Sequence, residues 1–260
     1  MTGASPPADR GGLGALAEAA ARATPRGPDD ATDPGIPVAA TVVLLRDSVR
    51  GVEVLLLERP DRGSFAGAWV FPGGKVDPGD REGADATEED VARRAGVRET
   101  AEEVGLHLDP AELVTLSTWD PPPGLPLRIR TWFFLAPAPA PAQPLRPAPA
   151  EVVATQWTTP ADALAAHGRG ELILYPPTWV TLHGLRDLAD ADSALAASRL
   201  GGIRRFDTVA RPGEDGPMLL WQEDGEYDPG GLGGAGGPAG AARHRLEVGA
   251  LPWRYIRTHG

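Results

Sequence analysis

The 260-residue chain has no cysteine and a single lysine, Lys75. Without cysteine there are no disulfides, no thiolate metal sites and no cysteine nucleophile. No apolar stretch approaches the ~20 residues that a membrane-spanning helix needs. The N-terminus has no basic start followed by an apolar run, so a soluble cytoplasmic protein is expected. Basic residues are outnumbered, 25 against 36 acidic ones, for a net charge of −11. That balance argues against non-specific binding to nucleic acid or to an anionic membrane, and leaves room for a local basic pocket. There is no serine nucleophile elbow, Walker loop or dinucleotide fingerprint. The five histidines show no metal-ligand spacing.

Glycine and proline are plentiful, 33 and 28 residues, which predicts long irregular segments interrupting the core. Residues 1–35, rich in Ala, Gly, Pro and Asp, read as largely disordered, with one short helical patch at Leu13 to Ala23. Residues 36–260 read as a single domain. Within it, 136–150 form a Pro/Ala-rich extended connection and 230–240 a flexible glycine tract. Val38 to Leu45 and Val52 to Leu57 form a hairpin of buried strands. Trp69 to Phe71, Leu113 to Trp119, Arg128 to Leu135 and Glu151 to Trp157 follow as strands, and Val248 to Ile256 as a last one. Helices are expected over Glu89 to Val104, ended by Gly105, and from Pro160 behind a Thr159 cap. One further helical region covers Thr178 to Leu200.

The chemistry concentrates in Phe71-Pro72-Gly73-Gly74-Lys75 and in Arg98-Glu99-Thr100-Ala101-Glu102-Glu103-Val104-Gly105-Leu106. Positions three and four apart share a helix face, so Glu99, Glu102 and Glu103 point one way, and Val97, Ala101 and Val104 turn towards a core. Two glycines after a short strand let the backbone approach that acidic face closely. Clustered carboxylates suit a hard divalent cation, which retains waters and bridges to phosphates. Lys75 beside Gly74 offers a point charge to a phosphate, as do Arg59 and Arg62 upstream.

These residues resemble the box of the Nudix hydrolases, G-x5-E-x7-R-E-U-x-E-E-x-G-U with U a bulky aliphatic. Gly74 matches its leading glycine, and Arg98, Glu99, Glu102, Glu103, Gly105 and Leu106 match its second half. The chain departs in three places. Asp80 replaces the first glutamate, 17 residues rather than 7 separate it from Arg98, and Thr100 replaces an aliphatic. The extra residues are expected at Arg81 to Asp90, in the loop or the front of the helix.

The resemblance implies an α/β (α+β) fold, an α/β/α sandwich with a mixed β-sheet. It also implies Mg²⁺ or Mn²⁺ held by Glu99, Glu102, Glu103 and the Gly73 carbonyl, with Arg98 positioning the glutamates. Glu99, Glu102, Glu103 and Arg98 would be catalytic, and Arg59, Gly74 and Lys75 would meet the substrate. An acidic residue near Glu151 can approach the metals in relatives. Ser64-Phe65, Gly67 to Gly74, Pro176-Pro177-Thr178 and Arg243-His244-Arg245-Leu246 are similar to the subgroup containing the peroxisomal coenzyme A diphosphatases. That subgroup also carries a box insertion. Gly63 stands where a coenzyme A-associated pattern has a second arginine. The expected reaction is cleavage of coenzyme A or acyl-coenzyme A to 3′,5′-ADP and (acyl-)phosphopantetheine. An ADP-ribose or NADH-type pyrophosphatase and a non-catalytic nucleotide-binding module are the alternatives. The expected partner is a small diphosphate substrate, and a homodimer is left open.

Overall fold

A computed structural model describes residues 13–22, 24–27, 29–63, 65–83, 85–139, 143–230 and 241–258. The elements run α1 (Leu13–Arg22), β1 (Val38–Ser48), β2 (Gly51–Glu58), β3 (Trp69–Val70), β4 (Gly73–Lys75), α2 (Glu88–Val104), β5 (Val114–Asp120), β6 (Arg130–Pro137) and β7 (Ala154–Thr158). Then come α3 (Pro160–Gly168), α4 (Pro176–Leu185), α5 (Ala191–Gly201), β8 (Arg204–Asp207), β9 (Val209–Pro212), β10 (Pro217–Leu220), β11 (Arg243–Glu247) and β12 (Arg254–Thr258).

The main sheet is mixed. Its strands lie in the order β3-β2-β1-β6-β5-β8, with β4 pairing β1 and β7 pairing β2. β1–β6 and β5–β8 are parallel and the other pairs antiparallel. β1 is apolar nearly throughout because both its faces are covered. Ala40, Val42 and Leu44 pack against Ala92, Ala95 and Val104 of α2. Val43 and Leu45, on the opposite face, join a second core built from α1, α3, α4, α5 and residues of the smaller sheet. Helices thus flank a mixed sheet, as the box predicted.

α2 starts where its sequence caps it. The Thr87 hydroxyl accepts from the Asp90 N–H while the Asp90 carboxylate accepts from the Thr87 N–H. It ends at Gly105, which takes the left-handed conformation (φ 72°) that glycine adopts without strain. The inward stripe of α2 is Ala92, Ala95, Gly96, Thr100, Glu103 and Val104, whereas Val97 and Ala101 are only half-buried. The expected core face is therefore rotated: Glu103 sits on it rather than opposite it. Gly96 lets the helix lie close to β1, since a Cβ there would be 2.9 Å from Val42 Cγ2. Thr100 is fully buried, but its hydroxyl donates to the Gly96 carbonyl (2.7 Å), so a polar residue fits the aliphatic position of the box.

The ten-residue insertion divides between the loop after Asp80 and the front of α2, which starts ten residues before Arg98. Four further expectations are corrected. Residues 13–22 form a helix with Leu16, Ala19 and Ala20 buried in the core, and Arg26 anchors the segment behind it by donating to the carbonyls of Asp120, Pro121 and Thr208. Residues 1–12 lie outside the described residues, as do 231–240 of the glycine tract. The Pro/Ala tract begins inside β6, and its far end hydrogen-bonds the end of α2, from Arg146 N–H to the Val104 carbonyl and from Ala148 N–H to the Glu103 carbonyl. The region Thr178 to Leu200 is two helices, because Asp190 caps α5 through the Ser193 N–H. The last strand begins at Arg254, not Val248, and belongs to a second, antiparallel sheet, β12-β11-β10-β9, whose other three strands were not expected. No helix among the described residues is long and apolar enough to cross a membrane.

Candidate active site

β4 crosses the inner end of β1, with Ala40 opposite Gly74 and Thr41 opposite Gly73. At Gly73 the backbone takes φ 154° and lies so close to β1 that a Cβ would be 2.8 Å from the Thr41 Cα. At Gly74 a Cβ would be 2.5 Å from both carboxylate oxygens of Glu99. The two glycines thus do different jobs. Gly73 lets β4 meet β1, and Gly74 lets the Glu99 carboxylate lie against the strand.

Glu103 is the most buried of the acids, at 1% exposure. One oxygen accepts from the Gly73 N–H (2.8 Å) and the other from Arg59 Nη1 (2.7 Å). Burial pushes its carboxyl up to about 7, although the Gly73 hydrogen bond and Arg59 pull it down. Burial also raises Glu99, against the pull of Arg98, and the nearby Glu102 and Glu151 carboxylates add to the rise. Oxygens of Glu99, Glu103 and Glu151 lie within 4.8 Å of one another.

Arg98 binds several of the surrounding groups at once. Its Nε and Nη2 bind Asp80 bidentately (3.2 and 2.9 Å), and Nη2 also donates to the Lys75 carbonyl (2.9 Å). Nη1 donates to Glu99 (2.8 Å) and Glu102 (3.0 Å). Burial alone would raise the Asp80 carboxyl, but Arg98 and the Asp77 N–H hold it below the ordinary range. The shortened box acid is therefore still the arginine's anchor despite the insertion. Arg98→Lys keeps the charge and loses the fork. We expect it to lower kcat by roughly tenfold or more with little change in fold, checked by steady-state kinetics and circular dichroism.

The structure brings Glu99, Glu103, Arg98, Arg59, Gly73 and Gly74 together. It sets Glu102 at the rim, exposed and paired with Arg98. The Lys75 side chain is exposed, and Arg59, read as a phosphate contact, spends a donor on Glu103. Glu151 joins the acidic group from a turn three residues before β7, not from the first residue of a strand. Its neighbours explain the placement: the Ala148 carbonyl accepts from the Glu151 N–H, and the Ala148 N–H is tied to the Glu103 carbonyl.

Three carboxylates drawn together, Glu103 buried, Glu99 half-buried and Glu151 exposed, the first two pushed up in pKa, form a donor set that a hard divalent cation fits.

A model of the NUDIX domain matches residues 35–175. Solved structures that this chain resembles include a NUDIX hydrolase from Alicyclobacillus acidocaldarius, 27% identical over 62% of this chain and 96% of that one, with a TM-score of 0.56. A MutT NUDIX hydrolase from Burkholderia pseudomallei is 26% identical over 56% and 95%, with a TM-score of 0.43. The NUDIX domain of Shewanella oneidensis NrtR, solved with ADP ribose, is 20% identical over 60% and 92%, with a TM-score of 0.46. No curated protein matches the chain.

Proposed function

Because the chain belongs to the Nudix family, as a hydrolase of the pyrophosphatase type acting on nucleoside diphosphate derivatives, we propose that its substrate is coenzyme A or an acyl-coenzyme A, cleaved to 3′,5′-ADP and (acyl-)phosphopantetheine. The observation that carries the hydrolytic reading is Glu103, buried, doubly hydrogen-bonded and grouped with Glu99 and Glu151. Mg²⁺ or Mn²⁺ bound there would neutralise charge on the phosphoryl oxygens and favour ionised carboxylates. Glu99, Glu103 and Glu151 would hold it, with Glu102 at the rim and the Gly73 carbonyl as a further ligand.

Water attacks one phosphorus of the diphosphate, the bridging P–O bond breaks, and the water proton passes to a carboxylate of the cluster. Arg59 and the Gly73 N–H hold Glu103 in place. Arg98 holds Glu99 and Glu102 against Asp80 and β4. Catalysis of this kind is chiefly positioning and charge neutralisation.

The coenzyme A reading is supported by the subgroup-like residues around the box and by the insertion inside it. Exposed Lys75 and Arg62 are available to a further phosphate, with Arg62 reaching the Ala150 carbonyl beside Glu151. The stretch Arg243 to Leu246 gives no such support. Arg243 pairs with Glu226, Arg245 with Asp224 and Glu226, and the His244 ring lies between Glu223 and Tyr255. The test is product analysis by mass spectrometry with Mg²⁺ or Mn²⁺. The expected result is 3′,5′-ADP from coenzyme A faster than AMP from ADP-ribose or NADH. The reverse order overturns the substrate and leaves the family standing.

A further inference from the structure

We propose that Phe65, backed by Tyr175, is a stacking platform for the purine base of the substrate. Three observations place it. First, Phe65 has φ 62°, and among the described residues it is the non-glycine with positive φ. A bulky side chain is strained in that conformation, and such strain persists where the surroundings impose it, often at ligand clamps. Second, Phe65 is 38% exposed, although packing would favour burying it. It stands edge-on to Tyr175, centroids 4.7 Å apart and planes at 82°, so one ring props the other.

Third, its loop reaches the acidic group. Arg59 at the start of the loop donates to Glu103, and Arg62 donates to the carbonyl next to Glu151. The loop is closed by Arg59 N–H to the Ala68 carbonyl, and Ala68 N–H returns to the Phe65 carbonyl. Tyr175 is itself fixed as the residue that opens α4. Exposed Phe65, propped by the half-buried Tyr175 at the start of α4, is thereby held on the same loop as the Glu103 clamp. Every base offers a π-face to such a ring, and a purine the largest.

The inference rests on the hydrolase reading of the acidic site, because it assigns the pair to that site's substrate. The test is calorimetric binding of AMP and of ribose 5-phosphate in Mg²⁺, which differ only in the base, with the melting temperature of each variant. Wild type is expected to bind AMP about tenfold or more tightly than ribose 5-phosphate. Phe65→Gly should bring the two to within about twofold, with a Tm at or above wild type because glycine adopts this backbone freely. Phe65→Asn, which also tolerates the left-handed region, should show the same collapse. Phe65→Tyr should keep the preference.

If wild type shows no preference for AMP, or the preference survives in Phe65→Gly and Phe65→Asn, the inference is overturned. A fall in Tm with an unchanged preference also overturns it, since the ring would then serve packing alone. If the preference collapses as expected while no diphosphate in the hydrolysis panel is cleaved, the platform stands and the catalytic reading fails.

Discussion

Glu103→Gln is expected to lower kcat by a factor on the order of 10²–10³ while leaving the protein folded. Glutamine has the same shape, and its amide oxygen can still accept from the Gly73 N–H. What it removes is the negative charge at the centre of the group formed with Glu99 and Glu151. It also strips Arg59 of its carboxylate partner, so the loop that carries Phe65 loses one of its ties. Steady-state kinetics at saturating Mg²⁺ and circular dichroism measure the two halves of the prediction. A kcat within about threefold of wild type would remove Glu103 from the catalytic group.

The same variant makes a stability prediction with a definite sign. In the metal-free protein, burial lifts the Glu103 carboxyl from 4.5 to about 7. Between those values the unfolded chain has given up the proton and the folded chain has not. Stability contributed by this group therefore falls as pH rises from about 4.5 to about 7, and stays low above that. Glutamine carries no such charge. Metal-free Glu103→Gln should thus be more stable than wild type at pH 8, by roughly 1–3 kcal/mol less the lost Arg59 pair, and the difference should vanish near pH 4. Mg²⁺ should raise the wild-type Tm at pH 8 more than that of the variant. Denaturant unfolding at the two pH values decides it.

The parts legible in the sequence were those governed by local rules. α2 was placed to within one residue because Gly105 ends it and the box fixes its spacing. β1 and β2 were legible because strands buried on both faces are continuously apolar. The smaller sheet was not. Its strands are four or five residues long, and Arg243-His244-Arg245 breaks the apolar alternation that marks a strand. Only the fold brings Asp224 and Glu226 against those arginines. The docking of α1 is not legible in the sequence because its buried residues include two alanines, whose small side chains suit close packing but give a weak hydrophobic signal.

The site divides in the same way. Arg98, Glu99, Glu102 and Glu103 lie within two turns of one helix, so their clustering follows from spacing alone. The rotation that buries Glu103 and exposes Glu102 did not, because it depends on how closely Gly96 lets α2 approach β1. Glu151 arrives from a segment almost fifty residues away, held by a backbone hydrogen bond to Glu103, and no local pattern announces it.

Gly74→Ala and Gly73→Ala should fail in opposite ways. In Gly74→Ala the new methyl falls 2.5 Å from the Glu99 oxygens, and the flexible carboxylate can swing away from it. The fold should survive with a Tm within a few degrees of wild type. Glu99 would leave the group with Glu103 and Glu151 and lose its hold on Arg98, so activity and Mg²⁺ affinity should each fall by a factor on the order of 10². In Gly73→Ala the methyl meets the Ala40 carbonyl and the Thr41 Cα, backbone that cannot move aside, at φ 154° where side chains are rare. That variant should lose on the order of 3 kcal/mol of stability, measured by denaturant unfolding, as β4 detaches from β1. If Gly74→Ala instead keeps full activity, the Glu99 carboxylate does not need to lie against β4, and the metal assignment loses one of its three acids. If it unfolds as readily as Gly73→Ala, the close approach there serves the sheet and not the site.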